Sequence, residues 1–258
     1  MVQLCYQGFL MRDRRRHGAG PGRRVQLHRA MSKLGWGSRG EGRLWISEGR
    51  VRVNGRVCTD PFIWIDLAVD DVTLDGRAPA AASHRLISIH KPVGIVVTHR
   101  DERGRPDVFS LLPQGLPRLV AIGRLDADSE GLLLLTTSGA LADALTDPAR
   151  HVPKRYRLTV KGRVGPGVIE ALGSGLVLDD GPTRPAVARL LEAGDRFSLL
   201  ELVLTEGRNR QARRMLESVG HPVERLVRTA VGDLELGDLA AGQWREESFG
   251  RFGVADQG

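Results

Sequence analysis

A short polar segment between two apolar runs constrains the fold of this chain more than any other feature. Residues 119–122 and 132–135 are apolar at every position, and each run has the length of a strand. Such runs are typical of strands that are buried on both faces of a sheet. The nine residues 123–131 carry three carboxylates, those of Asp126, Asp128 and Glu130. The sequence therefore predicts an acidic loop held rigidly between two buried strands.

Several chemical roles are open to this acidic loop. Its three acids match the first, third and fifth positions of a calcium-binding EF-hand loop. The twelfth position must then be an acid but is Thr137, and leucines occupy the residues between, so an EF-hand is excluded. A carboxylate pair that hydrolyses glycosidic bonds, a nucleophilic aspartate, and a solvated loop of salt-bridge partners all remain open.

The complete string G-R-L-D-x-D-S-E-G-L-L-L-L-T, from Gly123 to Thr136, is more specific than its acids alone. It resembles the active-site motif of pseudouridine synthases of the RsuA/RluB family, which modify ribosomal RNA. The resemblance implies that Asp126 is the catalytic residue and that Arg124 contacts RNA. It leaves open whether Asp126 attacks the sugar or the ring.

Two later segments are similar to further motifs of the same family. In Lys154-x-Tyr156, the resemblance implies a tyrosine that packs against the target base and a lysine that contacts RNA. The segment E-G-R-N-R-Q-x-R-R-M, residues 206–215, implies Arg213 as the ion partner of the catalytic carboxylate. It also implies RNA contacts at Arg208, Arg210 and Gln211. Arginines in the first turns of a predicted helix, where the macrodipole disfavours cations, independently indicate an anionic ligand.

Residues 25–77 predict a small unit of two helices and a hairpin. Apolar residues recur at helical spacing at Val25, Leu27, Ala30, Met31 and Leu34. Ser38 is the expected N-cap of a second helix, and Asn54-Gly55 predicts a tight hairpin turn. This pattern resembles the alpha-L RNA-binding domain of the ribosomal protein S-four type. The resemblance implies RNA contacts at Arg29, Lys33, Arg39 and Arg43. Gly40 and Gly42 depart from the family pattern and are expected to weaken the second helix.

We expect an α+β protein with two domains. The expected organisation is a disordered basic arm (1–24), the RNA-binding domain (25–77), a linker (78–84) and a catalytic domain (85–250). The family resemblance implies that the small N-terminal domain mixes helices and strands. It also implies that the catalytic domain is a mostly antiparallel mixed sheet flanked by helices. Residues 86–98 predict two short strands separated by Lys91-Pro92 and Gly94.

The charge distribution agrees with a polyanionic partner. Residues 1–60 contain 13 Lys and Arg against 4 Asp and Glu, whereas the remaining residues are close to neutral. A basic segment of this kind favours RNA binding. There is no dinucleotide or P-loop fingerprint and no metal-ligand spacing, so we expect no cofactor and no metal. No apolar run is long enough to cross a bilayer, and we expect a cytoplasmic monomer without a membrane partner.

The resulting hypothesis is an enzyme, an isomerase that converts a specific uridine of ribosomal RNA, or of a pre-ribosomal particle, to pseudouridine. The opening elements resemble those of the RluB branch, and this resemblance implies large-subunit rather than small-subunit RNA. The alternative is a non-catalytic RNA-binding factor that assists ribosome assembly. The target uridine would have to lie in a loop or be flipped out of its helix.

Overall fold

The computed structural model describes residues 24–79, 84–98, 101 and 103–248. The predicted basic arm before Arg24, most of the predicted linker and the residues after 248 lie outside this range. The described residues form two compact units, one up to residue 79 and the other from residue 84. Among the described residues, no helix is both long enough and apolar enough to cross a membrane.

The first unit combines two helices with short strands. Its elements are β1 (Arg24–Gln26), α1 (Leu27–Lys33), α2 (Arg39–Ser47), β2 (Val51–Val53), β3 (Arg56–Val57), β4 (Trp64–Asp66) and β5 (Val72–Leu74). Strand β1 pairs with β4, and β2 lies between β3 and β5. The apolar faces of both helices and the inner residues of the strands form one small core.

Local sequence signals account for the ends of these elements. The Ser38 hydroxyl accepts a hydrogen bond from the Glu41 amide (3.1 Å), and the Glu41 carboxylate accepts one from the Ser38 amide (2.8 Å). This reciprocal pair is a capping box, so the predicted N-cap is confirmed. Asn54 and Gly55 have φ of 51° and 77°, as a type I′ hairpin turn requires. The predicted hairpin is therefore confirmed.

The predicted first helix starts too early in the chain. For the second helix, Gly42 was predicted only to weaken the helix, and its role in packing was not predicted. Val25 belongs to β1, opposite Ile65, and helix α1 begins only at Leu27. Val25 packs on the same core from a strand, which explains why it fitted the helical spacing. Gly42 is buried, and a Cβ there would lie 3.1 Å from the Met31 Cβ and 3.2 Å from the His28 carbonyl oxygen. This glycine therefore lets the two helices approach closely.

The second unit contains the larger sheet. Its strands are β6 (Leu86–Lys91), β7 (Val120–Ile122), β8 (Glu130–Thr136), β9 (Lys154–Lys161), β10 (Val177–Leu178), β11 (Gly181–Pro182), β12 (Val187–Glu192), β13 (Phe197–Leu204), β14 (Val223–Val231), β15 (Leu234–Glu235) and β16 (Trp244–Glu247). Its α-helices are α3 (Gly139–Thr146), α4 (Pro166–Ser174) and α5 (Gln211–Ser218). Short 3-10 helices span Val108–Leu111 and Pro148–Arg150.

The nine-stranded sheet is mixed, and its strands follow the order β12-β13-β9-β14-β8-β6-β16, with β15 beside β14 and β7 beside β8. The β14–β8 pair is parallel, and the other ladders of this sheet are antiparallel. The predicted α+β fold with a mostly antiparallel mixed sheet is thus confirmed. Strands β10 and β11 form a separate hairpin.

The leucine run lies at the centre of the core. Leu133 and Leu135 pack on the face covered by α4 and α5, and Leu132 and Leu134 pack on the face covered by α3. All four are fully buried, so burial on both faces is confirmed for this run. The earlier run is different, because β7 pairs with β8 alone and residues 120 and 121 are partly exposed.

The predicted pair of strands in residues 86–98 is only half correct. Strand β6 forms, but its expected partner is reduced to an isolated bridge between Val96 and Asp107. Gly94, with φ of 89°, turns the chain, and its amide donates a hydrogen bond to the Ala127 carbonyl (2.7 Å). The segment after β6 therefore supports the acidic loop.

Candidate active site

A row of paired residues crosses five strands of the large sheet. Leu202 on β13 is opposite Tyr156 on β9, which is opposite Arg228 on β14. Arg228 is opposite Gly131 on β8, which is opposite Lys91 on β6. Paired residues share a face of a sheet. The register therefore brings Tyr156 to the strand ends from which the acidic loop emerges.

The acidic loop lies at the junction of two cavities. The loop joins β7 to β8 and is closed by a hydrogen bond from the Ser129 amide to the Asp126 carbonyl (3.1 Å). The smaller cavity has a volume of about 80 Å³ and the larger one about 590 Å³. Both are lined by Arg124, Leu125 and Asp126. The Asp126 side chain is 38 % exposed, so its carboxylate is accessible from the cleft.

The smaller cavity gathers most of the site residues predicted in this unit. Seven of the eight line it: Arg124, Asp126, Tyr156, Arg208, Arg210, Gln211 and Arg213. These residues come from three separate parts of the chain. Lys154 is not among the lining residues, and its ammonium donates instead to the Val152 carbonyl (3.1 Å). Burial lowers the pKa of Lys154, and the nearby charge of Arg228 adds to the effect.

Two arginines hold the acidic loop, but not in the expected pairing. Arg210 donates to both carboxylate oxygens of Asp128 (3.0 and 2.8 Å), and its Nη1 is 3.7 Å from Asp126 Oδ2. Arg213 donates to the Asp128 carbonyl (2.8 Å) and the Ser129 hydroxyl (3.3 Å), and its Nε is 3.5 Å from Asp128 Oδ2. Among the described residues, the ion pair of Arg213 is therefore with Asp128, and the arginine that pairs with Asp126 is Arg210.

The reason for this difference is the direction of the Arg213 side chain. It lies in the first turn of α5, and its guanidinium also donates to the Val223 carbonyl (3.0 Å), so it is fixed against backbone atoms. Burial lowers the pKa of Arg213, although the charge of Asp128 opposes this. The hydrogen bonds from Arg210 lower the pKa of Asp128, which remains ionised. Asp128, one of the acids for which the sequence left a salt-bridge role open, thus holds both arginines.

Arg228 and Lys91 are two buried cations that do not line either cavity. Neither had been assigned a role from the sequence. Arg228 is 3 % exposed and donates to the carbonyls of Leu132 (2.7 Å) and Arg124 (3.2 Å). Burial lowers the pKa of Arg228, and the adjacent Tyr156 hydroxyl partly opposes this. In the sequence, Arg228 and Lys91 are each visible only as a single charge next to apolar residues.

Lys91 is the second buried cation, and its side chain is fully buried. Its ammonium donates to the carbonyls of Pro92 (2.9 Å) and Ile95 (2.8 Å). Burial lowers the pKa of Lys91 to about 8, although the charges of Asp126 and Asp128 oppose this. The lysine therefore supports the turn that contacts the acidic loop.

The loop before α5 is tied to the β10–β11 hairpin. Arg208 donates to the carbonyls of Gly181 (2.9 Å) and Pro182, and Arg214 makes two hydrogen bonds with Asp180 (both 2.9 Å). These contacts lower the pKa of Asp180 to about 2, chiefly through Arg214. The guanidinium of Arg208, expected to contact RNA, thus binds the hairpin.

Gln211 is 3 % exposed although it lines the cavity. Its side-chain oxygen accepts a hydrogen bond from the Arg208 amide (3.2 Å), and its amide nitrogen donates to Glu206. The contacts of Gln211 and Arg208 hold the loop that presents Arg210 to the acids.

The four predicted RNA contacts of the first unit lie on α1 and α2. Arg39 and Arg43 are exposed, whereas Arg29 and Lys33 are partly buried. The guanidinium of Arg43 lies over the Phe62 ring, 5.4 Å from its centroid. In the described ranges, no group of three or more His, Cys, Asp or Glu side chains could hold a metal ion.

Known proteins resemble this chain over most of its length. Residues 85–218 match the model of the RNA pseudouridylate synthase family, and residues 26–61 match the S4 domain. An uncharacterized RNA pseudouridine synthase of Mycobacterium tuberculosis is 40% identical over 227 residues, which are 86% of this chain and 89% of that protein. The ribosomal large subunit pseudouridine synthase B of Pseudomonas aeruginosa is 39% identical over 232 residues, 86% of this chain and 59% of that protein.

A crystal structure of a pseudouridylate synthase superposes with a TM-score of 0.64 at 26% identity, covering 87% of this chain and 96% of that one. The family model spans the chain from β6 to α5, which carries every lining residue of the smaller cavity except Leu226 on β14. The chain therefore belongs to the RNA pseudouridylate synthase family.

Proposed function

We propose that this enzyme converts a specific uridine of ribosomal RNA to pseudouridine, and that the uridine lies in large-subunit RNA. The observation that carries the proposal is the position of Asp126, whose accessible carboxylate lies where two cavities meet. The name of the Pseudomonas aeruginosa relative supports the large subunit. The alternative of a non-catalytic assembly factor is not favoured, because the matched family is one of synthases.

The reaction breaks the bond between ribose C1′ and ring N1, turns the base, and joins C1′ to ring C5, which then loses its proton. No electrons are exchanged, so the step needs only groups that the cavity offers. Asp126 is the nucleophile: its carboxylate bonds to the substrate as the C1′–N1 bond breaks, and it is released by the time C1′ is joined to C5. The Tyr156 ring packs against the base, and its hydroxyl takes the proton from C5 while its own proton passes to solvent. Ring N1 gains a proton, so the product has the same atoms as the substrate.

The arginines act in two different ways. Arg210 contacts Asp126 and, together with Arg213, holds Asp128, so the loop is positioned before the substrate binds. Arg208 and Gln211 hold the segment that carries Arg210. Arg124 is exposed at the mouth of both cavities and contacts the RNA backbone.

The first unit binds RNA and the second performs the reaction, with domain limits at residues 25–77 and 85–250. The S4 match supports this division of labour. Lys154 is partly buried and supports the strand end rather than the RNA. The enzyme acts as a cytoplasmic monomer on ribosomal RNA or on a pre-ribosomal particle, and it needs no cofactor.

Pseudouridine mapping in ribosomal RNA tests the function. RNA from a strain that lacks the gene is compared with RNA from the parent strain and from a strain complemented with the intact gene. We expect one uridine of the large-subunit RNA to lose its modification and to regain it on complementation. The purified enzyme should modify the same uridine in RNA from the deletion strain. Identical maps for the three strains would contradict the proposal.

The Asp180→Asn variant tests the contact between the hairpin and the arginine loop. We expect kcat/KM to fall about two- to fivefold, because Arg214 and Arg208 lose a charged partner at a partly exposed site. RNA affinity should change less than kcat, since Arg208 keeps its carbonyl partners.

The control for this prediction is Asp195→Asn. Asp195 pairs with Arg163 in an exposed salt bridge and does not line either cavity. The kinetics of the Asp195→Asn variant should match those of the wild type. Faster turnover or tighter RNA binding by Asp180→Asn would show that Asp180 competes with the substrate instead of holding the loop.

A further inference from the structure

We propose that Phe62 and Trp64 form an aromatic platform on the first unit that stacks on unpaired RNA bases. This inference rests on the proposed function, because it takes RNA as the substrate. It concerns how that RNA is held, and it adds a site outside the catalytic cavity.

The two aromatic side chains lie on the outer face of the unit. Each is 52% exposed, whereas the intervening and following residues, Ile63 and Ile65, pack into the core. Phe62 lies in the turn just before β4 and Trp64 is the first residue of that strand, and exposed and packed side chains alternate from residue 62 to residue 65. Two large rings, two positions apart in the chain, are therefore exposed at the start of β4.

A cation adjoins the platform. The Arg43 guanidinium lies 5.4 Å from the centroid of the Phe62 ring. The His28 ring meets the Phe62 ring edge-on, with 5.5 Å between the two ring centroids. The His28 Nδ1 is 2.8 Å from the Pro61 carbonyl, which fixes that ring. Arg39 lies one turn before Arg43 on the same helix and is also exposed. Rings beside arginines provide stacking surface for bases and charge for the phosphates that join them.

The chemistry favours unpaired RNA over a duplex or a protein partner. Residues 24–43, which carry these arginines, contain five Lys and Arg and one Asp or Glu, so this segment is complementary to a polyanion. The bases of an RNA duplex are about 3.4 Å apart in a continuous stack and offer no free faces. Two exposed rings two positions apart in the chain instead suit neighbouring bases that have left their stack.

Binding of short labelled RNAs to the full-length protein tests the platform. The probes are an oligouridine of about 12 nucleotides, an abasic ribose-phosphate oligomer of the same length, and an RNA duplex. The variants are the double substitution Phe62→Ala/Trp64→Ala, the aromatic double substitution Phe62→Tyr/Trp64→Phe, and Val69→Ala. Val69 is a matched control, because it is an apolar side chain of the same unit that is 67% exposed.

We expect the double alanine variant to bind oligouridine between about 5-fold and 150-fold more weakly than the wild type. It should bind the abasic oligomer and the duplex with unchanged affinity, since these probes offer no free bases. The aromatic variant and Val69→Ala should bind all three probes as the wild type does.

Three results would overturn the platform. They are unchanged oligouridine binding by the double alanine variant, an equal loss for all three probes, and a loss in the aromatic variant as large as in the alanine variant. The proposed function is tested separately, by measuring whether the wild-type protein forms pseudouridine in RNA of the deletion strain. If the wild-type protein stacks on bases but modifies no uridine, the proposed function is contradicted and the platform is not.

Discussion

The Asp126→Asn variant is expected to lose at least about 10,000-fold in kcat, the largest effect that we predict for this enzyme. Asparagine keeps the size of the side chain but cannot act as a carboxylate nucleophile. RNA affinity should stay close to that of the wild type, because the contact from Arg210 to Asp126 is long (3.7 Å) and the stronger contacts of this arginine are with Asp128. Release of tritium from ring carbon five of labelled uridine in ribosomal RNA measures the turnover.

The Asp128→Asn variant is the informative comparison. Asp128 is a hydrogen-bond acceptor for Arg210 and lies beside Arg213, so its substitution should loosen the loop. We expect it to lower both turnover and the thermal stability of the second unit, whereas Asp126→Asn should lower turnover alone. Tritium release by Asp126→Asn at the wild-type rate would refute the assignment of the nucleophile.

The Gly131→Ala substitution is expected to destabilise the second unit by at least about 4 kcal/mol. Gly131 has φ of 110°, which side chains rarely adopt, and it is the partner of Arg228 in the parallel ladder. A Cβ at this position would lie 2.5 Å from the Arg228 amide nitrogen and closer still to its carbonyl oxygen. A loss of this size is a large part of the stability of a typical domain, about 5–15 kcal/mol. Calorimetry and hydrogen exchange of β8 and β14 measure it.

Gly220→Ala separates the two causes of this loss. Gly220 also has a positive φ, 85°, but a Cβ there would have no neighbour within 4 Å. We expect it to cost about 1–2 kcal/mol, from backbone strain alone. If Gly131→Ala and Gly220→Ala unfold at the same temperature, β14 moves aside without a loss of stability, which contradicts the close packing of Gly131 against Arg228.

Local signals in the sequence predicted much of this fold. The capping box at Ser38, the turn at Asn54-Gly55 and the buried leucines of β8 each depend on residues that are neighbours in the chain. The failures at Val25 and in residues 95–98 have a common cause. Whether an apolar residue reaches the core from a helix, a strand or a loop is decided by tertiary packing, which spacing does not encode.

The residues of the cavity were easier to predict than their pairing. Their types and motif positions identified seven residues that line one cavity. The partner of Arg213 could not be predicted, because Asp126 and Asp128 are two residues apart and the choice depends on the curvature of the loop. The juxtaposition of Tyr156 and Arg228 follows from strand register across 72 positions of sequence, which no local pattern specifies.

The five-strand row that joins Lys91, Gly131, Arg228, Tyr156 and Leu202 limits how this enzyme can change its length. Because side chains alternate between faces, inserting or deleting one residue inside β9 would turn the following part of that strand inside out. Strand β14 already contains two register shifts against β9, one of them next to Arg228. Length variation among descendants of this chain should therefore collect in the connections between strands. For the same reason, a protein engineer should graft new segments there and leave the strand interiors at their native length.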